Sequence, residues 1–261
     1  MGRFIDRLSQ VSRVVPQSMG FRKTQPVSEK PKILLIASLA EASVGDLTDY
    51  AAGADAGLLR IPKLSSGAKT LREMSQAVPD IPWGGWLGNV DQSGIKQMAK
   101  AGYDFVVFPA ANTPLALLQD DKIGKILEVE ALLGEGLLRA INELPVDAVL
   151  IAAEREGEYF LTWRHLMLFQ RFADLLTKPL LASIPSNVTA NEFQALWEAG
   201  VDGVVIEVGA GQPADRLKKL RQVIDKLAFP SQRKRGKAEA LLPHIGSEAS
   251  IVTEEDEEEE E

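Results

Sequence analysis

The chain has 261 residues, 45% of them hydrophobic, which suffices for one large core in a single domain. Without cysteine it has neither a disulfide framework nor a thiolate metal site, and two histidines argue against a multi-histidine metal centre; a reducing, cytoplasmic setting fits. The formal net charge of −8 is local: residues 254–261 are all acidic, the other 29 acidic residues balance 29 Lys and Arg, and a body without basic excess is not expected to bind nucleic acid.

Phe4, Leu8, Val11 and Val15 recur at helical spacing, with Ile5 beside them and Arg3, Arg7 and Arg13 interspersed. This predicts a short amphipathic helix ending before Pro16. It lacks the uninterrupted apolar run of a signal peptide or a membrane span, and Asp6 stands where a myristoylation signal needs Ser or Thr. The helix is expected to cap or flank the domain that follows, with docking to a protein partner or a membrane surface as the alternative. Residues 16–31 contain three prolines and read as a linker.

From Lys32 onward strand and helix patterns alternate. Strands are predicted at Ile33–Ser38, Leu58–Ile61, Pro82–Leu87, Phe105–Phe108, Lys125–Val129, Ala148–Ala152, Leu180–Ser183 and Gly203–Val208. Helices are predicted over 44–52, 66–77, from about Asp91, and over 113–119, 134–143, 160–176, 189–198 and 213–227. Eight such units in roughly 200 residues require a closed (βα)8 (TIM) barrel rather than a five- or six-stranded open sheet. A phrase recurs through them: A-G-A-D-A-G-L-L-R-I at 52–61, A-G-Y-D-F-V-V-F at 101–108, L-P-V-D-A-V-L-I at 144–151 and A-G-V-D-G-V-V-I-E-V-G-A-G at 199–211. It puts Asp55, Asp104, Asp147 and Asp202 at the entrances of strands two, four, six and eight, on the face where barrel residues serve stability. The domains are then residues 1–31, helix and linker; 32–228, the barrel; and 229–261, an acidic tail.

Function in such a barrel belongs at the C-terminal ends of the strands. There the chain offers Arg60 and Lys63, Trp86, Asn112, Glu128 and Glu130, Glu154, Ser183 and Ser186, and Glu207 before Gly209 and Gly211. In K-I-L-E-V-E the strand period of two aligns Ile126, Glu128 and Glu130 on the inward face. An inward carboxylate must pair, bind a cation or take up a proton. Arg60, which shares its face with Leu58, is a candidate partner for Glu128, and a structural Arg60–Glu128 pair stands beside a catalytic or metal-binding role.

The runs D-F-V-V-F-P at 104–109, L-E-V-E-A-L-L-G-E-G-L at 127–137 and V-D-A-V-L-I-A-A-E at 146–154 resemble the citrate lyase β-subunit and hydroxy-acid aldolase family. That resemblance implies carbon–carbon bond chemistry beside a carboxylate with Mg²⁺. Glu128 would be its metal ligand, with Glu130 adjacent; Arg60 would hold the substrate carboxylate, and Glu154 stands in the strand-six motif, where Arg155 replaces the family's Asp. The last two units resemble barrels that bind phosphate after strands seven and eight, which implies an anion site at Ser186, Gly209 and Gly211. Lys63 and Asn112 complete the residues expected to bind substrate. The reading is thus an enzyme, or an enzyme-derived barrel, for a small carboxylate or phosphorylated metabolite, lyase- or aldolase-like if catalytic. The alternative is a non-catalytic interaction or scaffold barrel, with a homo-oligomer compatible with either.

Overall fold

The computed structural model describes residues 2–12, 32–39, 47–61, 64–88, 101–119, 122–152, 160–209, 213, 215–227 and 229. Eight parallel strands close on themselves in sequence order: β1 Leu34–Leu39, β2 Ala56–Ile61, β3 Trp83–Leu87, β4 Phe105–Pro109, β5 Gly124–Val129, β6 Ala148–Ile151, β7 Leu180–Ile184 and β8 Gly203–Val208. The closing pair runs from Leu34 beside Gly203 to Leu39 beside Val208. The fold is therefore a (βα)8 barrel, and each predicted strand lies within two residues of the observed one.

The described helices are α1 Arg3–Ser12, α2 Leu47–Tyr50, α3 Leu64–Ala77, α4 Glu135–Ile141, α5 Trp163–Leu175, α6 Ala190–Glu198 and α7 Arg216–Lys226. Local chemistry explains several boundaries. At α6 the Thr189 amide donates to Glu192 Oε2 at 2.7 Å and the Glu192 amide donates to Thr189 Oγ1 at 3.4 Å, a reciprocal cap written in the sequence as T-A-N-E. At α5 the Thr162 amide donates to His165 Nδ1 at 3.0 Å, so this histidine serves helix initiation. Gly53, Gly102 and Gly200 all have φ between 87° and 95°. The A-G before Asp55, Asp104 and Asp202 is thus the left-handed turn that leaves a helix for the next strand.

One predicted helix is not formed: over 113–119 the chain makes only a 3₁₀ segment, Leu115–Gln119. The Leu117 amide donates to the Pro114 carbonyl at 3.2 Å, the i to i+3 bond of a 3₁₀ turn. The helix predicted from Asp91 lies outside the described residues.

Alternate strand residues divide into two cores. Leu35, Ala37, Leu59, Val106, Leu127, Val149, Ala182, Val204 and Ile206 face the helices, whereas Leu34, Ile36, Ala56, Leu58, Phe105, Val107, Ile126, Ala148, Leu150, Leu181 and Val205 fill the barrel. Trp83 packs outside, its ring over Gly57, where a Cβ would come within 2.3 Å of it, and its Nε1 donates to the Val78 carbonyl at 3.0 Å. Inside, Gly84 makes room for the Phe105 ring.

The interior is closed from below by α1. Phe4, Ile5 and Leu8 are at most 1% exposed and belong to the interior core, with the Phe4 and Phe105 ring centroids 4.5 Å apart. The apolar face that the sequence makes available for docking is thus occupied by the barrel itself.

All four repeat aspartates bind backbone amides. Asp55 accepts from Leu35 at 2.8 Å, Asp147 from Lys125 at 2.7 Å and Asp202 from Leu180 at 2.9 Å, each fastening the preceding strand. Asp104 turns instead to α1, accepting from Arg3 at 2.8 Å and Phe4 at 2.9 Å, where its charge also complements the helix N-terminus.

Candidate functional site at the C-terminal mouth

The inward face that is apolar through two layers becomes polar at the top. Extending each interior row by one step of two residues leads from Ile36 to Ser38, Leu58 to Arg60, Gly84 to Trp86, Ile126 to Glu128, Leu181 to Ser183 and Val205 to Glu207. Register sets Arg60 beside Trp86, Pro109 beside Glu128 and Ser38 beside Glu207.

Three of these side chains form a row across β2, β3 and β5. The Arg60 guanidinium carbon lies 4.8 Å from the centre of the Trp86 ring, and Trp86 Nε1 donates to Glu128 Oε2 at 2.7 Å. A cation on the ring face and a carboxylate on its N–H edge match both polar features of an indole. The direct Arg60–Glu128 pair considered from the sequence is not among the described contacts; Trp86 links the two instead. Glu128 is half-buried and Arg60 exposed, so both reach the opening.

The remaining sequence candidates fall as follows. Glu130 is exposed, one residue past the end of β5, and its carbonyl accepts from the Leu133 amide. Asn112 is exposed in the turn after β4. Ser186 is half-buried after β7, and its carbonyl accepts from Arg216 Nε at 2.6 Å. Gly209 follows β8, and among the described residues nothing lies within 4 Å of where its Cβ would be. Lys63, Glu154 and Gly211 lie outside the described residues.

A Mg²⁺ site of the kind the family resemblance implies needs converging oxygen ligands. Among the described residues no group of three or more His, Asp or Glu converges, and one oxygen of Glu128 is engaged by Trp86. Glu154, the further carboxylate to which that resemblance points, lies outside the described residues, and the steps considered for the mouth use the chain's own side chains.

Two mouth residues were not singled out from the sequence. Ser38 is 1% exposed, and its Oγ has no hydrogen-bond partner among the described residues. The signal for it was the period of two through Leu34 and Ile36. Arg216 opens α7 and ties it to the loop after β7. Nothing in the linear sequence joins positions 186 and 216; the pairing of β7 with β8 makes them neighbours.

No protein-family model matches the sequence, and no curated protein matches it. Solved structures do resemble the fold. A mutant tryptophan synthase α-subunit from Pyrococcus furiosus superposes with a TM-score of 0.54 at 14% identity, covering 74% of this chain and 97% of that one. Orotidine 5′-phosphate decarboxylase from Pyrococcus horikoshii OT3 gives 0.57 at 14% identity, over 73% and 100% of the two chains. A protein from Aquifex aeolicus VF5 gives 0.60 at 12% identity, over 87% and 98%. At such identities the likeness is one of fold, and the chain is a TIM-type (βα)8 barrel.

Proposed function

We propose that the chain is an enzyme-type barrel that binds a small carboxylate- or phosphate-bearing metabolite at its C-terminal mouth, in a cytoplasmic setting. The observation that carries this reading is the Arg60–Trp86–Glu128 row. A planar guanidinium grips a carboxylate or phosphate through paired N–H donors, and stacking on an aromatic face fixes its plane without consuming those donors. The Trp86 N–H orients Glu128 and leaves its second carboxylate oxygen to accept a proton beside the bound anion. In an aldol-type cleavage that oxygen would take the proton of a β-hydroxyl. The carbon–carbon bond would break to release an aldehyde, and the enediolate left on the carboxylate fragment would recover the proton. The two named neighbours, a tryptophan synthase α-subunit and a decarboxylase of a 5′-phosphate, are names of enzymes and support an enzymatic use of the mouth.

The test is thermal unfolding of the full chain with a panel of small carboxylates and inorganic phosphate. A ligand at 100 times its Kd should stabilise by about 2.7 kcal/mol. Arg60→Ala should lose that response. Glu128→Gln should keep it, because an amide oxygen still accepts from Trp86, and should lose turnover. No response in the wild type, or an equal response in Arg60→Ala, overturns the reading.

A second reading, an interaction barrel, is favoured by Phe160, Trp163 and Met167, which are 77%, 82% and 72% exposed. Trp163 and Met167 are four apart on α5 and share a face. A protein partner or a second copy is the occupant this reading requires.

A further inference from the structure

Among the described residues, three ionisable side chains continue the inward rows at the top of the barrel: Arg60, Glu128 and Glu207. Among the described residues two carboxylates stand against one guanidinium, a balance that disfavours a ligand that is only anionic. The groups also differ in their engagement. Glu128 holds the Trp86 N–H. Glu207 is exposed and stands beside Ser38 across the β8–β1 pair.

Ser38 supplies a second, independent observation. Its side chain is 1% exposed, its Oγ is without a partner among the described residues, and its row faces the interior. Buried hydroxyls are almost always hydrogen-bonded, because desolvation without a partner is costly. A hydroxyl next to a carboxylate is an acceptor pair for a group that donates several N–H bonds from one positive centre. An ammonium does this, with three donors and no acceptor.

Resting on the reading of Arg60 as the carboxylate anchor, we infer that the ligand of the mouth is a zwitterion, an amino acid whose ammonium is held by Glu207 and Ser38 while its carboxylate is held by Arg60. Strands β8 and β2 flank β1, and register sets Ser38 beside both Glu207 and Leu58, so Arg60 stands two residues further along; two strand spacings of about 4.8 Å and a rise of about 6.6 Å put the anchors about 12 Å apart at the backbone. Glu207 and Arg60 continue inward rows on either side of β1, and an amino acid, with its charges a few bonds apart, is small enough to lie between them. Glu207 is then a reason for preferring an amine to a hydroxyl or a phosphate at that end.

The experiment measures affinities of the full-length protein for matched pairs that differ only at the carbon beside the carboxylate: alanine and lactate, aspartate and malate, glutamate and 2-hydroxyglutarate, serine and glycerate, with inorganic phosphate as a separate probe. The expected result is that the amino acid of at least one pair binds tenfold or more tighter than its hydroxy acid, and that Glu207→Gln, an isosteric change at an exposed position, erases the preference. A hydroxy acid that binds equally or more tightly, with binding lost in Arg60→Ala, overturns the zwitterion inference and leaves the carboxylate site standing. So does a preference that survives Glu207→Gln. Phosphate binding that excludes both members of a pair also overturns it. If no carboxylate and no phosphate binds, the anion-site reading falls with it.

Discussion

Asp55, at the entrance of β2, carries an arginine. Arg221 of α7 forms an ion pair with its carboxylate, both side chains being mostly buried, and also donates to the Gly53 carbonyl at 3.2 Å. Burial pushes the Asp55 carboxyl above the usual aspartate range, opposed by Arg221, by the Leu35 amide and by Arg7. A carboxyl whose folded-state pKa is raised contributes most when protonated, and that contribution is lost as pH rises through the raised value. Arg221→Met removes the main opposing charge and raises the carboxyl further. The variant should lose stability at pH 7 toward the lower end of the about 3–5 kcal/mol typical of a broken buried pair, and clearly less at pH 4. Denaturant melts at the two pH values check this; equal losses at both would show that Asp55 is not stranded as a charge.

At the scale of elements, α1 is the part whose role depends most on its surroundings. Ten residues are too few for a stable isolated helix, so its order rests on the Asp104 cap and on the burial of Phe4, Ile5 and Leu8 in the barrel. Leu8→Ala should cost about 2–5 kcal/mol, as a large-to-small change in a closed core does. Asp104→Ala should cost about 1 kcal/mol, the usual worth of a helix cap. Urea unfolding measures both. A Leu8→Ala variant as stable as wild type would mean that α1 does not fill the lower mouth in solution. The 3₁₀ segment between β4 and β5 shows the opposite case, where the apolar pattern of Leu115, Leu117 and Leu118 reads as a helix but the chain forms only a 3₁₀ turn.

For the whole molecule, charge is divided sharply between body and end. Removing residues 254–261 takes the formal net charge from −8 to 0, since eight acidic residues leave and 29 acids then face 29 bases. The melting temperature should stay within about 2 °C, while self-association near neutral pH and low salt should rise, because a net charge near zero promotes association. Differential scanning calorimetry and light scattering separate the two effects. A large fall in melting temperature would mean that the acidic end contributes to the fold.

The sequence by itself determined the architecture, because strand and helix periods, eight alternating units and the A-G-x-D phrase are local properties that leave one closed parallel arrangement. It also determined which end of the barrel is structural, since Asp55, Asp104, Asp147 and Asp202 precede their strands and Arg60, Glu128 and Glu207 end theirs. What it left open was partnership. Whether Glu128 meets Arg60 or Trp86, whether Asp104 fastens a strand or a helix, whether Arg216 reaches Ser186 and whether Ser38 finds a partner are decided by the relative heights of strands 20 to 100 residues apart. Those heights follow from register and from the stagger that barrel closure imposes, which no period along the chain encodes.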